Sequence, residues 1–162
     1  APLRLEGVFS RLQILSAAFM AYAHGKNDGQ MPIGIMAMAL MIHTGAEFHV
    51  PFWIVAISAA AISLGTALGG WRVVRTVGIR ITALRPVHGF AAIGSAAAVV
   101  EIASAFGIPV STTHCVSSSV MGVGATKRLS AVRWGVAGNI LVAWILTFPI
   151  CAAIGWLLSF LF

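Results

Sequence analysis

Long apolar runs, interrupted by two polar stretches and separated by two basic ones, organise this sequence. Leu12 to Tyr22 is apolar, His24-Gly25-Lys26-Asn27-Asp28-Gly29-Gln30 is polar, and Met31 to Ile42 is apolar again. Each apolar half is shorter than the ~20 residues that span a bilayer. Residues 12–45 therefore predict one discontinuous helix or a re-entrant pair. Residues 50–70 form an uncharged run of spanning length. Residues 71–87 are basic and read as a loop or an interfacial helix. Residues 88–125 are apolar on both flanks but broken at Gly107-Ile108-Pro109-Val110-Ser111-Thr112-Thr113-His114. A second basic stretch, Lys127 to Arg133, precedes a last spanning segment at 134–161, long enough to tilt.

Composition fixes the solvent. Of 162 residues, 59% are hydrophobic and 9% charged, where a soluble domain carries about 25% charged residues. The chain is therefore expected to be an integral membrane protein. Transmembrane strands alternate over about ten residues. These runs do not alternate, so the fold class is all-α. The net charge of +6 sits in loops, in Arg72, Arg75, Arg80 and Arg85 and in Lys127, Arg128 and Arg133. That is the pattern of cytoplasmic loops rather than of a nucleic-acid surface. With both basic stretches on one side, residues 88–125 must enter and leave by the same face, as a helical hairpin with a polar tip. Arg4 and Arg11 place the start inside as well, and the loop at Thr44 to Val50 and the C-terminus outside. Cys115 and Cys151 lack metal-type spacing and read as small buried residues. The chain begins at Ala1 and shows no signal-peptide pattern, so a fragment or a trimmed chain is expected.

The two interruptions carry the chemistry. Irregular backbone at membrane depth is tolerated where protein buries it or where it lines a cavity, and polar groups there mark a substrate or ion path. A helix beginning near Ser111, Thr112 and Thr113 presents free N–H groups and a positive end, an anion site. Hydroxyls add neutral donors, which suit an anion that must leave again better than an arginine fork does. The plainer alternative is that these hydroxyls only cap the helix. At the first interruption, Asp28, Asn27 and freed carbonyls form an oxygen-rich nest for Na⁺, or Asp28 carries a proton. Pro32 fits the first turn of a second half-helix. Glu101 is protonated, paired with a group outside the hairpin, or part of a cation path. Lys26 neutralises Asp28, attracts anions or snorkels. His24 and His114 are candidates to line the site; His43, His49 and His88 read as interfacial.

Occurring together and in this order, the two motifs resemble the signatures of the inorganic phosphate transporter (PiT) family, bacterial type. The stretches Trp71 to Gly78, Leu84 to Gly89, Arg133-Trp134-Gly135 and Trp144 to Pro149 are similar to it as well. The resemblance implies two inverted repeats that hold phosphate and Na⁺ or H⁺ between them, each with one Asn-Asp break and one Ser-Thr hairpin. Having one of each, this chain resembles the second repeat alone. By that resemblance Ser111, Thr112, Thr113, Asn27, Gly29 and Gln30 contact phosphate, and Asp28, Asn27 and Glu101 serve the cation. No catalytic residue and no further cofactor is implied. The expected partners are phosphate, the lipid bilayer, and the missing first repeat or a second transporter subunit. Lys26 and Met31-Pro32-Ile33 depart from the family pattern beside the site. An inverted homodimer requires a weak Lys/Arg bias, and the bias here is strong.

Rival readings keep or discard the fold. A sulfate permease keeps it; Asp28, as an acceptor for a protonated oxygen, favours phosphate. An intramembrane hydrolase using Ser111 and His114 lacks a third residue and an oxyanion hole. A haem-binding subunit needs facing histidines at matched depth, and His43 and His88 fall on opposite sides.

Overall fold

The computed structural model describes residues 2–160, with side chains from residue 6 onward. The side chain of Arg4 and the end of the 134–161 segment at Leu161 lie outside the described residues. The described residues form five α-helices: α1 (Pro2–Thr44), α2 (Phe52–Arg75), α3 (Pro86–Ala105), α4 (Thr112–Lys127) and α5 (Trp134–Leu158). A π-helical turn, Thr76–Arg80, extends α2, and a short 3₁₀ turn, Leu129–Ala131, precedes α5.

α1 is one unbroken helix of 43 residues. The expected discontinuity at His24 to Gln30 is absent. Gly25 and Gly29 stay helical, although each costs roughly 1 kcal/mol relative to alanine. Pro32 lies inside the helix rather than at its start. Having no N–H, it leaves the carbonyl of Asp28, four residues earlier, without its helical donor. The polar side chains find partners on neighbouring helices, so the backbone need not unwind to satisfy them. Of the two readings of the basic stretch, the helix is the one found for Trp71 to Arg80, continuous with α2, which shortens the first basic loop to residues 81–85.

The second interruption does break the helix. α3 ends in a Schellman motif: Gly107 sits at φ 68°, its N–H reaches Ser104 O at 3.1 Å, and Ile108 N–H reaches Ala103 O at 2.9 Å. Glycine favours this left-handed position because it has no Cβ. Pro109 follows, and Ser111 opens α4 as its N-cap, its Oγ accepting from His114 N–H at 3.3 Å. α3 and α4 thus form a helical hairpin.

α3 runs parallel to the first part of α1. Phe90 stacks near Phe9, with ring centroids 6.1 Å apart, and Glu101 meets Lys26. Alanines let the two helices approach: Ala23, Ala96 and Ala97 are buried with Met20 and Val100, a small-residue interface typical of membrane helices. The hairpin tip lies level with Asn27, about 27 Å along α1 from Phe9, and α1 continues past it to Thr44. At the other end the two basic loops meet. Lys127 Nζ donates to Ala83 O at 3.2 Å, and Arg133 N–H to Ile81 O at 2.9 Å.

Among the described residues, three helical segments are long and apolar enough to cross a membrane: Phe52–Arg80, Pro86–Ala105 and Trp134–Leu158. Polar residues recur along α1, which lowers its hydropathy below theirs. The most apolar stretch of α5 buries none of its residues against the rest of the described chain. Cys151 on α5 is exposed rather than buried, and Cys115 is half-buried.

Candidate functional site

Where the hairpin tip meets the polar centre of α1, hydrogen bonds tie the two together. Asn27, buried, donates from Nδ2 to Val110 O at 2.7 Å and to Asp28 Oδ1 at 2.9 Å. Its Oδ1 accepts from Ser104 Oγ at 3.3 Å. One amide therefore joins α1 to both sides of the tip. Asp28 Oδ2 lies 3.1 Å from His24 Nδ1 and accepts from Thr112 Oγ1 at 3.4 Å. His24 Nδ1 is also 3.1 Å from Thr112 Oγ1. An imidazole, a carboxylate and a hydroxyl thus converge at the first turn of α4. The Asp28 side chain keeps 35% of its exposure, so it remains open to a ligand.

The cluster unites Asn27, Asp28 and Thr112 directly. Ser111 stands beside them as the helix cap, and Thr113 is exposed. Gly29 turns toward α2, where an added Cβ would lie 4.0 Å from Ile62 Cδ1. Gln30 is exposed. Lys26 faces Glu101 rather than Asp28, with Nζ 2.7 Å from Oε1. Pairing with a group outside the hairpin is therefore the role Glu101 takes here. His114 points away from the cluster and stacks on Trp144 of α5, ring centroids 3.8 Å apart. The sequence reading missed Ser104 and the Val110 carbonyl. Ser104 lies in an apolar helix and is singled out only by its distance from the tip; a carbonyl has no side-chain signature.

A groove of about 660 Å³ runs from His24, Thr112 and Thr113 toward the basic end of the molecule. Its α2 wall is lined by Gly65, Gly69 and Val73. Among the described residues, no group of three or more His, Cys, Asp or Glu side chains could hold a metal ion.

Helices of spanning length, a short hairpin ending halfway along a longer helix, and a polar cluster at their junction define an all-α, multi-span membrane protein. The comparisons with known proteins name its family. Residues 2–155 match the phosphate transporter family. A probable low-affinity inorganic phosphate transporter of Rhizobium meliloti is 48% identical over 161 residues, covering 98% of this chain and 48% of that protein. Its counterpart in Bacillus subtilis is 45% identical over 150 residues, covering 91% and 45%. A solved structure, that of the sodium-dependent phosphate transporter, superposes with a TM-score of 0.81 at 36% identity, covering 97% of this chain and 41% of that one. This chain belongs to the phosphate transporter family, whose members are transporters rather than enzymes. It spans about half the length of the curated relatives it matches.

Proposed function

We propose that this chain forms one half, the second inverted repeat, of a cation-coupled inorganic phosphate transporter of the cytoplasmic membrane. The observation that carries the reading is the junction of Asn27 and Asp28 with the hairpin tip. The start of α4 supplies N–H groups and a positive helix end to an anion. Ser111 and Thr113 stand at that end with hydroxyl protons to donate. Asp28 accepts a hydrogen bond from the protonated oxygen of hydrogenphosphate, a donor that sulfate cannot offer. The Asp28 carboxylate and its carbonyl, left without a donor by Pro32, are the oxygens offered to Na⁺; with H⁺ as the coupling ion, Asp28 or His24 carries it. Gly29 and Gln30, which follow on the next positions of α1, are further candidate phosphate contacts. The other half of the site comes from a first repeat or a second transporter subunit, since the matched relatives are about twice as long.

Radiolabelled phosphate uptake into proteoliposomes tests this, using the chain alone and with a first-repeat partner, with and without a Na⁺ or pH gradient. Uptake that needs the partner and a gradient, and is lost in Asp28→Asn, is the expected result. Gradient-driven uptake by the chain alone would overturn the half-site reading. Sulfate carried in place of phosphate would overturn the substrate.

A further inference from the structure

The Lys26–Glu101 pair takes no part in the polar cluster, yet it lies one residue from Asn27 at the same depth. Lys26 Nζ is 2.7 Å from Glu101 Oε1, with the two side chains 33% and 28% exposed. It joins α1 to α3. Glu101 Oε2 is buried and has no hydrogen-bond partner among the described residues. An ionised carboxylate in this position is stabilised by a positive charge beside it, because an unpaired one at membrane depth is strongly disfavoured. One oxygen receives that charge from the lysine; the other is enclosed and unsatisfied. The ammonium thus occupies the place beside the carboxylate that a small free cation would otherwise take.

We propose that Lys26 is a tethered cation for Glu101, and that removing its ammonium opens a site for a small monovalent cation, Na⁺, between α1 and α3. In the native chain the lysine keeps a free ion out, so the charge at Glu101 is permanent and is not carried through a transport cycle. Cation coupling is then confined to Asp28 and His24. This last step rests on the transport reading above; the latent cation site does not.

Thermal unfolding of the detergent-purified chain, titrated with NaCl against choline chloride at equal ionic strength, tests the proposal without any transport. Lys26→Met and Lys26→Gln remove the charge and keep most of the volume. Both are expected to gain a Na⁺-induced rise in Tm of about 3 °C or more at saturation beyond any shift in the wild type. The excess should vanish when Glu101→Gln is added to either. An equal response in wild type and variants, or an excess that survives Glu101→Gln, overturns the proposal. So does failure of both variants to fold in Na⁺ and choline alike, since Na⁺ would then not replace the ammonium. The outcome is independent of phosphate uptake, so a failed transport reading and a failed cation site are told apart.

Discussion

Asn27 and Asp28 are neighbours with different duties, and substitution separates them. Asn27 is buried and holds the hairpin tip through Val110 O and Ser104 Oγ. Asn27→Ala leaves that carbonyl without its donor, so a loss of about 1–3 kcal/mol is expected. Thermal unfolding should show it, together with loss of uptake. Asp28 is half-exposed and touches the tip at longer range, 3.4 Å to Thr112. Asp28→Asn should therefore leave the Tm close to wild type while abolishing gradient-driven uptake; an equally large drop in Tm would make its role structural. Ser111→Ala removes the N-cap of α4, which typically stabilises by ~1 kcal/mol, and removes a donor from the proposed anion site. Its uptake should fall further than its stability. At this scale the sequence was informative about residue type and uninformative about pairing. Lys26 stood two residues from Asp28 in the chain, but helix geometry turned it toward Glu101, 75 positions away.

Of the two interruptions, one ends a helix and the other does not, and the difference is backbone chemistry rather than polarity. Gly107 is followed by Pro109 and then a capping serine, so a left-handed residue, a helix stop and a helix start come in sequence. The break at Pro109 and the hydroxyls after it were legible in the sequence, and the placement of the basic stretches on one side made them a hairpin; the left-handed turn at Gly107 was not legible. The stretch His24 to Gln30 contains no residue that forbids a helix. Its polar groups suggested unwinding only because their partners, on α3 and α4, were not yet in view. A helix at the basic stretch was one of the two readings of 71–87, but its continuity with α2 through Arg80 was not foreseen, because arginines marked a membrane boundary and suggested a separate interfacial segment. Gly107→Ala forces a Cβ into the left-handed position, at a cost of about 1–2 kcal/mol, and should lower the Tm of the chain while leaving its helical circular dichroism intact. Gly124 is a different case. A Cβ there would lie 3.0 Å from Val132 and 3.1 Å from Thr82, so Gly124→Leu should pry α4 from the basic loops and raise protease sensitivity at 81–85. Unchanged resistance would show that this packing yields easily.

Across the whole molecule, the meeting of the two basic loops predicts a topology that labelling can read. In a Cys115→Ala, Cys151→Ala background, Ala83→Cys and Ser130→Cys should react with an impermeant thiol reagent from one side of the membrane, and Ala46→Cys from the other. Labelling of Ala83→Cys and Ser130→Cys from opposite sides would mean that the hairpin crosses the bilayer rather than returning. α5 sets a further condition on every measurement of stability. α5 packs through Val136, Ala137 and Ile140 in its first turns and through the stacking of Trp144 on His114, but beyond Trp144 the described residues leave it uncovered, with Phe148 74% exposed and Ile145 70%. Its surroundings are therefore set by whatever amphiphile fills the space around it. The unfolding temperature of this protein will belong jointly to the polypeptide and to the micelle, and will move with detergent chain length even when no residue is changed.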